Sequence, residues 1–437
     1  MDDSQYRTIR VACTDLNGQF RGKRVPEDYV QKVQAGAVRL PLSVLNVDIF
    51  GADIEDSPLV FETGDSDGVL IPTARGAVPM PWLETPSTLI PTTLQTEAGD
   101  PFDGDPRHAL SGVLGRFKAR GWSVIAATEL EFFLTQETAP LAPAKNPMTG
   151  NPLAQSEILS LQELDAFDAF FTDLYAACDA MGIPAHTTTA ESGAAQFEVT
   201  LNHGPAMKAA DDTVLFKHMV KGLARKHGMA ATFAAKPFGA EAGNGMHLHF
   251  SVFDADGANV FDNGAADGSD QLRHAVAGCL SAMAASTLIF APHANSYSRL
   301  VPDAHAPTHV AWGYDNRTVA VRIPGGPTAA RRIEHRVAGG DVNPYLMFAA
   351  VFGATMNGIQ DAKAPTAATT GNAYAQDLEQ LAPDWDSAIN AFASSPDIAR
   401  IFPTQLIKNL VMTKRQEVLK CADLSDAELL RLTSELV

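Results

Sequence analysis

The chain of 437 residues is long enough for two or more domains, and 46% hydrophobic with 19% charged residues describes an ordinary globular protein rather than a disordered or membrane one. A formal net charge of −18 speaks against a nucleic-acid partner, which needs a surplus of Lys and Arg on some face, and accommodates cationic ligands. MDDSQYRTIR lacks the regions of a signal peptide, and Cys13, Cys178, Cys279 and Cys421 are too scattered for a disulfide framework, so a cytoplasmic protein with reduced thiols is expected.

Residues 8–34 read as a strand, a turn at Leu16, Asn17 and Gly18, a second strand carrying Arg21, Lys23 and Arg24, and a short helix near Pro26 to Ala35. From Arg39 to about Pro101 the runs LPLSVLNVDIF, GVLIPT and STLIPTTL predict the strands of a small β-rich module. The cluster GDPFDGDP, from Gly99 to Pro106, marks a boundary, giving domains over residues 1–103 and 104–437. Beyond it come a helix from His108 to Arg120, a strand in WSVIAATELEFFL, a helix over 161–181, a strand in AAQFEVTL, a helix over 211–227 and a strand in MHLHFSV. This alternation implies an α/β or α+β catalytic domain. Residues 270–290 and 344–360 read as long helices, and the chain is mainly helical after Asp384. The apolar stretch Ala275 to Ala291 is interrupted by Gly278 and Ser281 and short for a membrane span, so a buried helix is expected there.

The stretch Gly243 to Val252, GNGMHLHFSV, places His247 and His249 on one face of a strand and Met246, Leu248 and Phe250 on the other. Gly243 and Gly245 let a backbone or ligand approach where a Cβ would obstruct it. Alone, the two histidines fit satisfied core residues equally well. Three further segments repeat the pattern: Glu129 and Glu131 in TELEF, Gln196 and Glu198 in QFEV with Glu191 ahead of a Ser-Gly-Ala-Ala turn, and Arg332, Glu334 and Arg336 in RRIEHR. One such segment reads as the exposed face of an edge strand, whereas four flanked by apolar residues imply an enclosed cavity whose carboxylates need a cation. Carboxylates with one or two imidazoles suit Mg2+ or Mn2+, and six ligands exceed the needs of one octahedral ion, so two or more metals are expected. Arg299, Arg317, Arg322, Arg331, Arg332 and Arg336 supply forks for anions, which together with the carboxylates points to phosphoryl transfer. Neither a Walker loop nor a kinase glycine loop is present.

The motifs TELEFF, AESGAAQFE, KPFGAEAGNGMHLHFSV, NSYSRLVP, NRTVAVRIP and RRIEHR followed by NPYL, in this order, resemble the glutamine synthetase superfamily over most of the chain. The resemblance implies an α+β fold: a small N-terminal β-grasp domain and a catalytic domain with a curved antiparallel sheet. It implies a ring, usually a dodecamer, with active sites between neighbouring subunits. Carried onto this sequence, it implies that Glu131, Glu191 and Glu198 hold one metal and that Glu129, His247 and Glu334 hold the nucleotide-bridging metal. His249, Arg322 and Arg332 would contact ATP phosphates. Arg299, Arg317 and Arg336 would grip glutamate and its acyl phosphate, with Gly243 at the glutamate backbone. The implied reaction joins the glutamate γ-carboxylate to an amine through γ-glutamyl phosphate, at the expense of ATP.

Departures from ammonia-using members concern the amine. His305 stands where those enzymes carry the Glu that closes the ammonium site, either as a base for a larger amine or as a lid residue. Ala242 replaces the glutamate-binding Asn of the NGSGMH motif, and the adenylylation signature NLYxLP is absent. WGYDNRTVAVRIP and VAGGDVNPYL look closest to the γ-glutamylpolyamine synthetase branch, which implies putrescine or spermidine as the amine. Asp48 is a candidate amine contact towards a neighbouring subunit's site, or a solvent-facing strand residue. The alternatives are a glutamine synthetase, a ligase for ethanolamine, methylamine or isopropylamine, and, more remotely, a non-catalytic ring-forming regulator.

Overall fold

The computed structural model describes residues 8–153, 158–239, 241–302 and 304–437. Two sheets organise the chain. The first contains β1 (Thr8–Thr14), β2 (Phe20–Pro26), β3 (Arg39–Pro41), β4 (Asp67–Pro72), β5 (Val78–Pro79) and β6 (Ser87–Thr96), in the order β2-β1-β6-β4-β3 with β5 on β6. β1 runs parallel to β6 and the other pairs are antiparallel. With the short helix α1 (Val30–Gln34) this is consistent with a β-grasp, and its core closes over Val11, Val33, Leu70 and Leu94. The run LPLSVLNVDIF supplies only the short β3, because Leu42–Leu45 turn into a 3-10 helix directly after Pro41.

The second sheet contains β7 (Ser123–Gln136), β8 (Ala185–Ala190), β9 (Gln196–Pro205), β10 (Met229–Thr232), β11 (Met246–Phe253), β12 (Trp312–Tyr314), β13 (Val321–Ile323) and β14 (Ile333–His335). Its order is β12-β13-β14-β11-β7-β9-β8, with β10 also on β7. Only β12 and β13 run parallel. Period-2 alternation decides what each face does. From Val124 to Phe132 every second residue of β7 is buried, and the intervening positions, Glu129 and Glu131 among them, face the opposite side. Leu130, Phe132, Met246, Leu248 and Phe250 form the apolar face.

That face packs on helices. These include α2 (Pro106–Lys118), α3 (Leu161–Ala166), α4 (Asp168–Met181), α5 (Ala206–Lys226), α6 (Asp270–Phe290) and α7 (Pro344–Gln360). The C-terminal part adds α8 (Trp385–Ser394), α9 (Pro396–Ala399), α10 (Thr404–Cys421) and α11 (Asp426–Leu436). The helix expected over 161–181 divides at Phe167, whose φ of −102° and ψ of 18° leave the helical range while its ring enters the core. The α6–α7 contact depends on two glycines: a Cβ on Gly278 would meet the Ala354 carbonyl at 2.1 Å, and one on Gly358 the His274 carbonyl at 2.1 Å. α6 is long and apolar enough to cross a membrane, yet 72% of its most apolar window is buried inside the fold, as expected for a core helix. Cys13, Cys178, Cys279 and Cys421 are free thiols.

Asp105 joins the two sheets' regions. It caps α2 by accepting from the Arg107 and His108 amides at 2.8 and 3.4 Å, and its other oxygen accepts the Leu94 amide of β6 at 2.9 Å. A second junction is polar and fully buried. Lys414 of α10 donates to Glu417 at 2.8 Å and to Asn17 at 2.6 Å, while Glu417 accepts from Asn17 and from the Ile49 amide at 3.0 and 2.8 Å.

Candidate active site

Strand register assembles the site. Across β11 and β7, His247 faces Glu129; across β11 and β14, His249 faces Glu334; across β7 and β9, Glu131 faces Glu198. Glu191 follows the last residue of β8 and is fixed by its amide, which donates to the Gln196 carbonyl at 2.9 Å. The charged positions that share faces in the sequence therefore form one strip across four strands of the sheet. Glu129 occupies its centre: Oε2 lies 3.0 Å from Nδ1 of His247 and Oε1 lies 3.1 Å from Nε2 of His249.

Burial and mutual repulsion set the charges. Burial pushes Glu198 up to about 9 and Glu191 up to about 7, and neighbouring carboxylates, Glu129 and Glu131 for the first and chiefly Glu131 for the second, add to it. Burial acts the same way on Glu129, but His247 and His249 outweigh it and hold that carboxyl well below its usual range. Glu334 is likewise drawn down to about 2, burial being overcome by His249, Arg336, His247 and Arg322.

The donor set fits divalent cations. Glu129, Glu198 and His247 bring ligand atoms within 4.8 Å of one another, as do Glu129, His249 and Glu334. Nε2 of His249 is buried and makes no hydrogen bond, although it lies 3.1 Å from Glu129. An orphaned imidazole nitrogen, in a strip where burial also pushes the Glu191 and Glu198 carboxyls up, is a site that a hard or borderline cation satisfies. These groups cut across the sequence-based partition: Glu198 lies with Glu129 and His247, Glu334 is paired by register with His249, and Glu129 belongs to both groups.

Arginines border the strip. Nη1 of Arg322 donates to Glu334 Oε2 at 2.7 Å and Nη2 to Asp315 at 2.6 Å, while Arg336 bonds the other oxygen of Glu334. Nε of Arg332 donates to Nδ1 of His249 at 3.4 Å. Arg299 is 4% exposed and anchored on the Val337 carbonyl at 2.8 Å. Its Nη2 would lie 2.7 Å from a Cβ added to Gly245, and the Gly245 amide donates to Glu131 at 2.6 Å. The stem of Arg299 also runs against Gly243, where a Cβ would meet its Cγ at 2.9 Å. Arg317 is exposed in the loop between β12 and β13. His305 is exposed and adopts φ 58° in the loop after Arg299; Asp303 of the same loop lies outside the described residues.

Asp48 requires a correction. It is fully buried, with Oδ1 accepting the Phe50 and Ala52 amides and Oδ2 accepting from Gln416 and Lys420 of α10. It is neither solvent-facing nor free to reach an amine, because its lone pairs fold its own loop onto the C-terminal helix.

Sequence reasoning gave Gln196 no role beyond sharing a face with Glu198, and passed over other polar residues nearby. Gln196 donates to the Gly243 carbonyl and to Asn244, both at 3.0 Å, tying the turn after Glu191 to the glycine pair. Thr200, His203 and Ser251 line, with Glu129, His249 and Arg332, a cavity of about 350 Å³. Thr200 and Ser251 were findable, since each continues by two residues the i, i+2 row that Glu198 and His249 begin.

Residues 103–431 match the glutamine synthetase catalytic domain. Gamma-glutamylputrescine synthetase of Escherichia coli (strain K12) is 37% identical over 82% of this chain and 76% of its own. Glutamate–isopropylamine ligase of Pseudomonas sp is 30% identical over 94% of this chain and 91% of its own. A crystal structure of a novel glutamine synthase homolog superposes with a TM-score of 0.86, covering 99% of each chain at 26% identity. The chain belongs to the glutamine synthetase family.

Proposed function

We propose that the protein is an ATP-dependent ligase that joins the γ-carboxylate of L-glutamate to an amine, with putrescine or a related polyamine as the physiological acceptor. The observation that carries the reaction type is the carboxylate–imidazole strip bordered by Arg299, Arg322, Arg332 and Arg336. Support for the acceptor comes from the 37% identity to a gamma-glutamylputrescine synthetase. A monoamine ligase is a second reading, favoured by the 94% coverage of the match to glutamate–isopropylamine ligase.

In this reading Glu131, Glu191 and Glu198 would hold one Mg2+ or Mn2+ and Glu129, His247 and Glu334 another, with Glu129 placed to contact both. The cations would supply charge neutralisation on the transferring phosphoryl oxygens. His249, Arg322 and Arg332 face the ATP phosphates, next to the cavity lined by Thr200, His203 and Ser251. Arg299, Arg317 and Arg336 hold glutamate, with Gly243 against its backbone, so that the γ-carboxylate oxygen attacks the γ-phosphorus and ADP leaves. The amine nitrogen then attacks the acyl carbon of γ-glutamyl phosphate, phosphate departs with the C–O electrons, and His305 takes the amine proton.

The same reading divides the chain at residue 103, supported by two separate sheets and by a family match that begins there. It includes cytoplasmic residence and self-association into a ring of twelve subunits, measurable as a dodecamer mass by light scattering. The reaction is tested by phosphate release with glutamate, ATP, Mg2+ and one amine at a time. Turnover with putrescine or spermidine supports the proposal; turnover with ammonia and none with diamines refutes the polyamine acceptor.

A further inference from the structure

The segment from Thr366 to Leu381 is laced to β12 and to the two loops that carry His305 and Arg317. The Trp312 indole donates to the Thr366 carbonyl and the Thr369 amide to the Trp312 carbonyl, both at 2.8 Å. Further along, Asn316 donates to the Gly371 carbonyl at 2.8 Å and the Ala373 amide donates to Thr318 at 3.0 Å, which fixes the Arg317 loop. At the other end the Val310 amide donates to the Glu379 carbonyl at 2.7 Å and the Leu381 amide to the Thr308 carbonyl at 3.0 Å. Between these ties the Tyr374 hydroxyl donates to the Ala306 carbonyl at 3.0 Å, one residue from His305.

Both loops carry a non-glycine residue in the left-handed region, His305 at φ 58° and Asp315 at φ 48°. Such backbone persists only where its surroundings over-determine it. Ala373 is buried with Ala311 and Val319 in a small apolar cluster of their own, and the Asn372 side chain accepts the Tyr374 amide at 3.0 Å, so the tyrosine projects from a fixed base. Most of the segment from Gly371 to Gln380 is otherwise exposed.

We infer that Tyr374 is a positioning residue: its hydroxyl holds the His305 loop, so that γ-glutamyl phosphate is met by the amine and not by water. The inference rests on the ligase reading and deepens it. With the loop held, a C–N bond forms as the C–O bond to phosphate breaks. With the loop loose, water attacks the same carbon and returns glutamate and phosphate without an amide.

Tyr374→Phe removes one hydroxyl and leaves the ring. With glutamate, ATP, Mg2+ and putrescine, the phosphate released per γ-glutamyl amide should rise about fivefold, the factor that loss of one hydrogen bond of ordinary net strength allows. The amine KM should rise while the glutamate KM holds. In parallel, hydrogen exchange at residues 304–309 should accelerate by a similar factor, with the melting temperature little changed. An unchanged phosphate-to-amide ratio, or a changed ratio with unchanged loop exchange, overturns the inference. Failure of the wild-type protein to form an amide with any amine instead overturns the ligase reading, and this role for Tyr374 falls with it.

Discussion

His247 and Glu129 face each other as a registered pair across β11 and β7, with Nδ1 3.0 Å from Oε2. The other oxygen of the same carboxylate lies 3.1 Å from His249. Glu129 is therefore common to both groups of ligand atoms, whereas Glu198 and Glu334 each serve one. Glu129→Gln should weaken both cation sites, each by at least the 10–100-fold that loss of even an outer partner costs. Glu334→Gln should weaken one site alone. Mn2+ titration by calorimetry distinguishes the two, and loss of a single site in Glu129→Gln would contradict the shared role.

Stability should depend on pH and on cations together. Glu198 ionises near pH 9 and Glu191 near pH 7 in the folded chain, against an ordinary value of 4.5. The folded state then binds protons that the unfolded chain has released. The stability contributed by these groups is complete below about pH 4.5 and is lost as pH climbs through 7 and 9. A cation takes the place of those protons, so its stabilising effect grows over the same window. Melting temperatures between pH 6 and 9 with EDTA should fall faster than with Mg2+; parallel curves would falsify this account.

Gly245 has no room for a methyl group. A Cβ would lie 2.7 Å from Nη2 of Arg299, 3.3 Å from His247 and 3.4 Å from Glu131. Arg299 is anchored at Nη1 on the Val337 carbonyl, so the added atom swings the guanidinium instead of the whole side chain. A displacement of about 1 Å in a substrate-positioning group costs about 100-fold in rate. Gly245→Ala should lose roughly that much kcat/KM for glutamate with its melting temperature kept, and wild-type kinetics would remove Arg299 from the glutamate site.

The buried junction of Lys414, Glu417 and Asn17 should behave as a stability element. Both charges are fully buried, so Lys414→Met strands the Glu417 carboxylate away from water. Breaking one side of such a pair costs about 3–5 kcal/mol. Urea unfolding should register that loss, and a change below about 1 kcal/mol would mean that Glu417 is rescued by its bonds to Asn17 and the Ile49 amide alone.

His305 provides a test of acceptor choice. His305→Glu puts a carboxylate, able to hold an ammonium ion, in place of the imidazole and should shift the ratio of kcat/KM values for ammonia and putrescine towards ammonia. An unchanged ratio assigns the residue to loop closure.

Much of the site was legible because strands expose their chemistry at period 2. TELEF, QFEV, MHLHF and RRIEHR announce their faces without reference to partners. Register was not legible. Which histidine meets Glu334 depends on how β11 slides against β14, and the local pattern is the same for either. Strand β8 escaped notice because AHTTTA has no buried apolar rhythm, only Ala190 being buried within it. Asp48 was misjudged for a related reason. Its burial comes from α10, whose Gln416 and Lys420 lie more than 360 residues further along the chain. Local composition at Asp48 carries no trace of them.

The most direct test of the central claim is a competition. The protein is given glutamate, ATP and Mg2+ with equal concentrations of putrescine and ammonium, and the amides are separated by mass spectrometry. The account requires ADP, phosphate and γ-glutamylputrescine in excess over glutamine. Glutamine as the main product, or ADP formed without any amide, would contradict it.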